Sequence, residues 1–87
     1  MHMITLHLSG PAGEQPDPDQ LAQAMWAQAE TTDRVEHLRI RSHPGRVDVV
    51  AFLLADEAEA ARARARELGR RTITGTAWLA GWSLEDT

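Results

Sequence analysis

The most constraining stretch of the chain is a pair of alternating runs, 35–41 and 47–54, joined by Ser42-His-Pro-Gly-Arg46. Pro44 presets the backbone angle at the first central position of a tight turn, and Gly45 accepts the positive angle that a type II turn demands. With His43 and Arg46 flanking the turn, Arg41 falls opposite Asp48, Arg39 opposite Val50 and His37 opposite Phe52. Leu38 then meets Ala51, and Ile40 meets Val49. This register gathers four apolar side chains on one face and sets one pair of opposite charges across the ladder. A slip of one residue mixes the two sets. The segment therefore reads as an antiparallel hairpin with one buried face.

The flanking segments carry their own signals. Met3-Ile-Thr-Leu-His-Leu8 alternates with period two and stops at Ser9-Gly10-Pro11, which predicts a strand over 3–8. Ala12 to Pro16 reads as a loop. A helix over 18–30 follows, with Asp17 as N-cap, Pro18 at the first helical position and Gln20 closing a capping box. Leu21 and Met25 lead its apolar stripe. Asp56 and Glu59 predict a second capping box, opening a helix over 57–68 that ends at Gly69 as a left-handed cap. Its stripe, Ala58, Ala61, Ala65 and Leu68, is small, so this helix is expected to lie close to what it covers. Threonine and branched residues from 72 to 80 predict a fourth strand, with Trp82 and Leu84 in the tail.

With 87 residues the chain reads as one domain, 1–87. A domain this short buries only about 60–65 % of its unfolded surface, so its core must be efficient. At 43 % hydrophobic and 25 % charged it is expected to fold. It contains no cysteine, which removes disulfides, thiolate metal sites and cysteine nucleophiles. A formal net charge of −4 argues against broad nucleic-acid binding. No apolar run approaches the ~18 residues of a membrane span, and no basic-then-apolar leader opens the sequence. We therefore expect a cytoplasmic protein with no nucleic-acid and no membrane partner. All nine basic residues are arginine, which reads as GC-rich bacterial codon usage rather than chemistry.

The element order strand-helix-strand-strand-helix-strand resembles the ferredoxin-like βαββαβ sandwich of the α+β class. Right-handed crossovers then imply a four-stranded antiparallel sheet, order 4-1-3-2, with two helices on one face. Fold alone does not give function. The bare face is more informative: it is expected to carry Met3, Thr5, His7, His37, Arg39, Arg41, Asp48, Val50, Phe52, Leu54, Thr74, Thr76 and Trp78. Two aromatics at roughly 150–250 Å² each approach the ~300–600 Å² at which an exposed patch marks an interaction. The expected partner is a second copy, packed face to face as in the dimeric α/β barrels, whose subunits this chain resembles in element order. Met3, Thr5, His37, Val50, Phe52, Thr76 and Trp78 are the interface candidates. The alternative is that the tail, with Trp82 and Leu84, folds over the patch within one molecule.

Among reactive groups, His7 is the candidate acid/base, placed mid-strand on the bare face. The enzyme reading is a cofactor-independent dimeric barrel acting on a small aromatic or polyketide-like molecule. In the structural reading His7 hydrogen-bonds Thr5 or Thr76. No cofactor and no metal is expected, because no two histidines have helical spacing and His7 and His37 lie on separated strands. The serines lack a nucleophile elbow. Ser9-Gly-Pro-Ala-Gly13 lacks the spacing of a phosphate loop, and Asp17 and Asp19 would repel an anion there. Arg62, Arg66 and Arg70, with Arg64 and Arg71, concentrate positive charge at the end of the second helix, which suits its dipole and offers a docking site for an acidic protein partner. The stretch from Gly45 to Phe52 faintly resembles the third strand of the RNA-recognition fold, but with Phe52 alone for base stacking the resemblance implies no RNA binding. The expected function is thus a small non-catalytic binding or accessory module that homodimerises.

Overall fold

The computed structural model describes residues 1–85. The chain forms β1 (His2–Ser9), α1 (Pro18–Gln28), a 3-10 turn (Thr31–Asp33), β2 (Val35–His43), β3 (Arg46–Leu53), α2 (Ala58–Gly75), a second 3-10 turn (Ala77–Leu79) and β4 (Ser83–Leu84). The four strands make one antiparallel sheet in the order β2-β3-β1-β4, the expected order read from its other edge. The molecule is an α+β protein with an open sheet and two helices.

Every pairing expected for the hairpin is present, from His37 opposite Phe52 to Arg41 opposite Asp48. Gly45 has φ +73°, the left-handed backbone that its turn requires. The loop before α1 braces this turn: the Gly10 and Gly45 amides donate to the Gly45 and Glu14 carbonyls. Asp17 caps α1 by accepting from the Asp19 amide at 2.8 Å. The helix stops at Gln28, short of the expected 30, because Ala29 is already extended.

Strand alternation sends Ile4, Leu6, Leu8, Val47, Val49, Ala51 and Leu53 to one side, where they are buried. Leu21 and Met25 of α1, and Ala61, Ala65 and Leu68 of α2, close the same core. Both helices therefore cover a single face of the sheet.

The second half of the chain corrects the sequence reading in three places. Glu57, not Asp56, occupies the N-cap of α2, and it makes no side-chain cap. Gly69 does not end the helix. It lies on the buried stripe where α2 presses onto β1; a Cβ there would come within 3.3 Å of Leu6 Cδ1. Residues 72–80 are not a strand: α2 continues to Gly75 and gives way to the second 3-10 turn. Burial overrides the β-propensity of this stretch. Thr72 is fully buried, and its hydroxyl donates to the Leu68 carbonyl one turn back. Arg71 binds Asp33 Oδ2 at 2.6 Å and also donates to the Gln28 carbonyl, joining α2 to the segment that follows α1.

The fourth strand is only Ser83–Leu84, pairing with Ser9 and Leu8. Trp82, just before it, is buried against Gly10, and Leu84 faces Gly69 on the helix side. The tail therefore fills the core rather than covering the bare face. A Cβ at Gly10 would sit 2.2 Å from the Trp82 ring. Gly10→Ala is expected to cost about 1–3 kcal/mol through this overpacking, read as a lower urea midpoint with an unchanged slope.

Candidate functional site

On the face without helices the register builds a grid. Its rows are His37–Phe52–Met3, Arg39–Val50–Thr5, Arg41–Asp48–His7 and His43–Arg46–Ser9. The first two rows hold the apolar patch. Met3 is 66 % exposed, Val50 and Phe52 are half-buried, and Thr5 and His37 are exposed. The His37 and Phe52 rings lie 5.6 Å apart at a tilt of 46°, a packed edge rather than a free aromatic. Arg39 and Arg41 border the patch and have no side-chain partner among the described residues.

The third row holds the chemistry. His7 Nδ1 lies 2.6 Å from Asp48 Oδ1. A carboxylate only accepts, so Nδ1 carries the proton and Nε2 is the free nitrogen. Arg46 Nε donates to the same carboxylate oxygen at 3.2 Å, and His43 Nε2 lies 3.8 Å from the other. The hydrogen bond from His7 holds the Asp48 carboxyl below its usual value of 3.8; partial burial opposes this and Arg46 reinforces it. On the opposite flank, the Glu85 amide donates to the His7 carbonyl and the Ser9 hydroxyl donates to the Glu85 carboxylate. An aspartate orienting a histidine so that Nε2 faces solvent is an arrangement suited to proton transfer.

Two expectations about these residues change. His7 bonds neither Thr5 nor Thr76; its partner is Asp48. Arg41 stands opposite Asp48 in register, yet the carboxylate turns to His7 and Arg46 instead. Asp48, Arg46 and Glu85 thus join the candidate site, and the sequence alone assigns none of them to it. Thr76 and Trp78 leave the bare face altogether. Thr76 caps the end of α2 and Trp78, 45 % exposed, lies in the second 3-10 turn. Thr74 belongs to α2, and Leu54 lies beyond the end of β3.

Arg62, Arg66 and Arg70 do line one groove on α2, together with Glu59 and Glu67. The charge there is partly spent. Arg70 pairs with Glu67 at 3.6 Å, and Arg66 donates to the Glu85 carbonyl, tying the tail to the helix. Arg71 is withdrawn from the surface by Asp33. Among the described residues no three histidine, aspartate or glutamate side chains converge as a metal site would need, and no helix is long and apolar enough to cross a membrane. Compared with family models, curated proteins and solved structures, the chain matches none.

The lowered carboxyl of Asp48 gives a pH signature. Its folded form binds protons less readily than the unfolded chain, so acid favours unfolding. The stabilisation is present above pH ~4 and is lost as pH falls through the folded value, which lies below 3.8. Urea titrations are expected to show wild type more stable than Asp48→Asn near pH 6, with the gap closing below pH ~4.

Proposed function

We propose that this chain is a ferredoxin-like binding module that homodimerises by packing the bare faces of two sheets together. The observation that carries the reading is the uncovered patch of Met3, Val50 and Phe52, left open by helices that both lie on the far side. Without Trp78, and with Val50 and Phe52 half-buried, the patch on one copy is smaller than the ~300–600 Å² that marks an interaction by area alone, so the area to be buried is counted over both copies. Burying about 300 Å² stabilises by ~7–8 kcal/mol gross, against an association cost of ~4–15 kcal/mol. Apolar contact alone therefore leaves the balance near zero, and the rim must contribute.

Charge supports a second copy as the occupant. Arg39 and Arg41 lie unpartnered on the β2 edge, and Glu85 lies beside β1 at the other edge, with Asp48 between. A two-fold arrangement that sets the β2 edge of one copy over the β4 edge of the other brings these opposite charges together twice. Light scattering on the eluting protein is expected to give twice the chain mass at micromolar concentration; a monomer contradicts the reading. Phe52→Glu is expected to return the mass to one chain while the helical circular dichroism is unchanged.

A second reading rests on the 2.6 Å contact between His7 and Asp48. Here the paired sheets enclose a chamber, and His7 is the acid/base of a cofactor-independent reaction on a small aromatic or polyketide-like molecule. Diethyl pyrocarbonate separates the two readings. A filled interface is expected to slow acylation of His7 at least tenfold relative to Phe52→Glu, whereas a chamber leaves the two rates alike. The acidic-partner reading of Arg62, Arg66 and Arg70 is weaker, because Glu67 and the tail occupy two of the three arginines.

A further inference from the structure

A second site lies at the end of the sheet, away from the bare face. Where α1 stops and β2 begins, a groove of about 390 Å³ opens, within the size range of small-ligand sites. Trp26, 44 % exposed, forms one wall, and Val35 and Leu54 are half-buried along it. Arg34 and Glu36 stand on its rim, and neither side chain has a partner among the described residues. The groove thus offers an indole surface, an aliphatic floor, the unpartnered cation of Arg34 and the unpartnered anion of Glu36, with a second carboxylate, Glu30, in the wall 3.9 Å from Arg71.

Arg34 is also held in an unusual conformation. Its φ of 57° and ψ of 41° are left-handed, and it is the one described non-glycine residue with positive φ. This region favours glycine, because a Cβ crowds the following carbonyl. The surrounding contacts over-determine it. The Arg34 amide donates to the Thr31 carbonyl, and its own carbonyl accepts from the Leu54 amide. Asp33, the residue before it, is buried, accepting from the Glu30 amide and from Arg71. A bulge between Val35 and His37 follows at once, at Glu36. The two charged rim residues therefore flank Val35 on a braced backbone.

We infer that this groove binds a free α-amino acid with an apolar or aromatic side chain. Arg34 takes the carboxylate through its planar fork, Glu36 takes the ammonium, and the side chain lies against Trp26, Val35 and Leu54. A simple carboxylic acid gains no contact from Glu36, and a simple amine gains none from Arg34. A ligand with both charges engages both rim residues at once.

The test is a titration of the full chain with L-phenylalanine, followed in amide-resolved NMR spectra. Saturable shifts are expected at the Trp26 indole N–H and at the Val35 and Leu54 amides. Phenylalaninamide, lacking the carboxylate, and 3-phenylpropionate, lacking the ammonium, are each expected to bind at least about tenfold more weakly. Arg34→Gly removes the guanidinium but relieves the left-handed strain, so it is expected to melt no lower than wild type while losing at least about tenfold in affinity. Should Arg34→Gly fail to fold, Arg34→Gln carries the same expected loss. Absence of saturable shifts at these positions overturns the inference. So does equal binding of either truncated ligand, or unchanged affinity in the folded Arg34 variant.

Discussion

Both helices of this domain bury against the same face of the sheet, and the rest of the molecule follows from that packing. Ile4, Leu6, Val47, Val49, Ala51 and Leu53 point toward Leu21, Met25, Ala61, Ala65 and Leu68 and are lost to solvent. Alternation then forces the intervening residues to the opposite side, where no helix is left to cover them. Met3 is left exposed, and Val50 and Phe52 half-buried, as a consequence of what the core needs. The same parity places His7 beside Asp48, so the apolar patch and the hydrogen-bonded histidine share one surface.

The length of α2 is the second determinant. By running past Gly69 to Gly75 it carries Arg71 to the buried Asp33. Removing either partner of a pair this enclosed would strand the other, so the contact fixes how α2 meets the turn after α1. That turn in turn sets the left-handed backbone of Arg34 and the bulge at Glu36. The groove at the sheet end is thus shaped from beneath by an ion pair between residues far apart in sequence. The tail completes the arrangement, with Trp82 filling the space that Gly10 leaves.

The β2–β3 hairpin was legible from the sequence because its turn chemistry and its alternation are both local and agree. The identity of the fourth strand was not. Residues Thr72 to Thr76 are threonine-rich, and local preference points to a strand; what overrides it is the spacing of Ala61, Ala65, Leu68 and Thr72, which continues the helical stripe across Gly69. That spacing was present in the sequence, but a glycine cap is the commoner reason for a glycine at such a place. His7 was identifiable as a candidate from the sequence, whereas its hydrogen-bond partner Asp48 was not. Alternation settles which face each β1 residue occupies, but the offset between β1 and β3 along their length is set by the packed core. Only with that offset does His7 fall opposite Asp48. Arg34 and Glu36 carry no sequence signature at all, because the backbone that aims them depends on Asp33 and Arg71.

The central claim is that the uncovered side chains of one chain meet those of another. Isotope-filtered nuclear Overhauser spectroscopy on a mixture of labelled and unlabelled protein reports this directly, because only contacts between copies survive the filter. The account predicts cross-peaks joining the Met3 and Val50 methyl groups of one copy to the Phe52 ring of its partner. Filtered spectra empty at those positions in concentrated protein, or contacts running only from the helices, would contradict it.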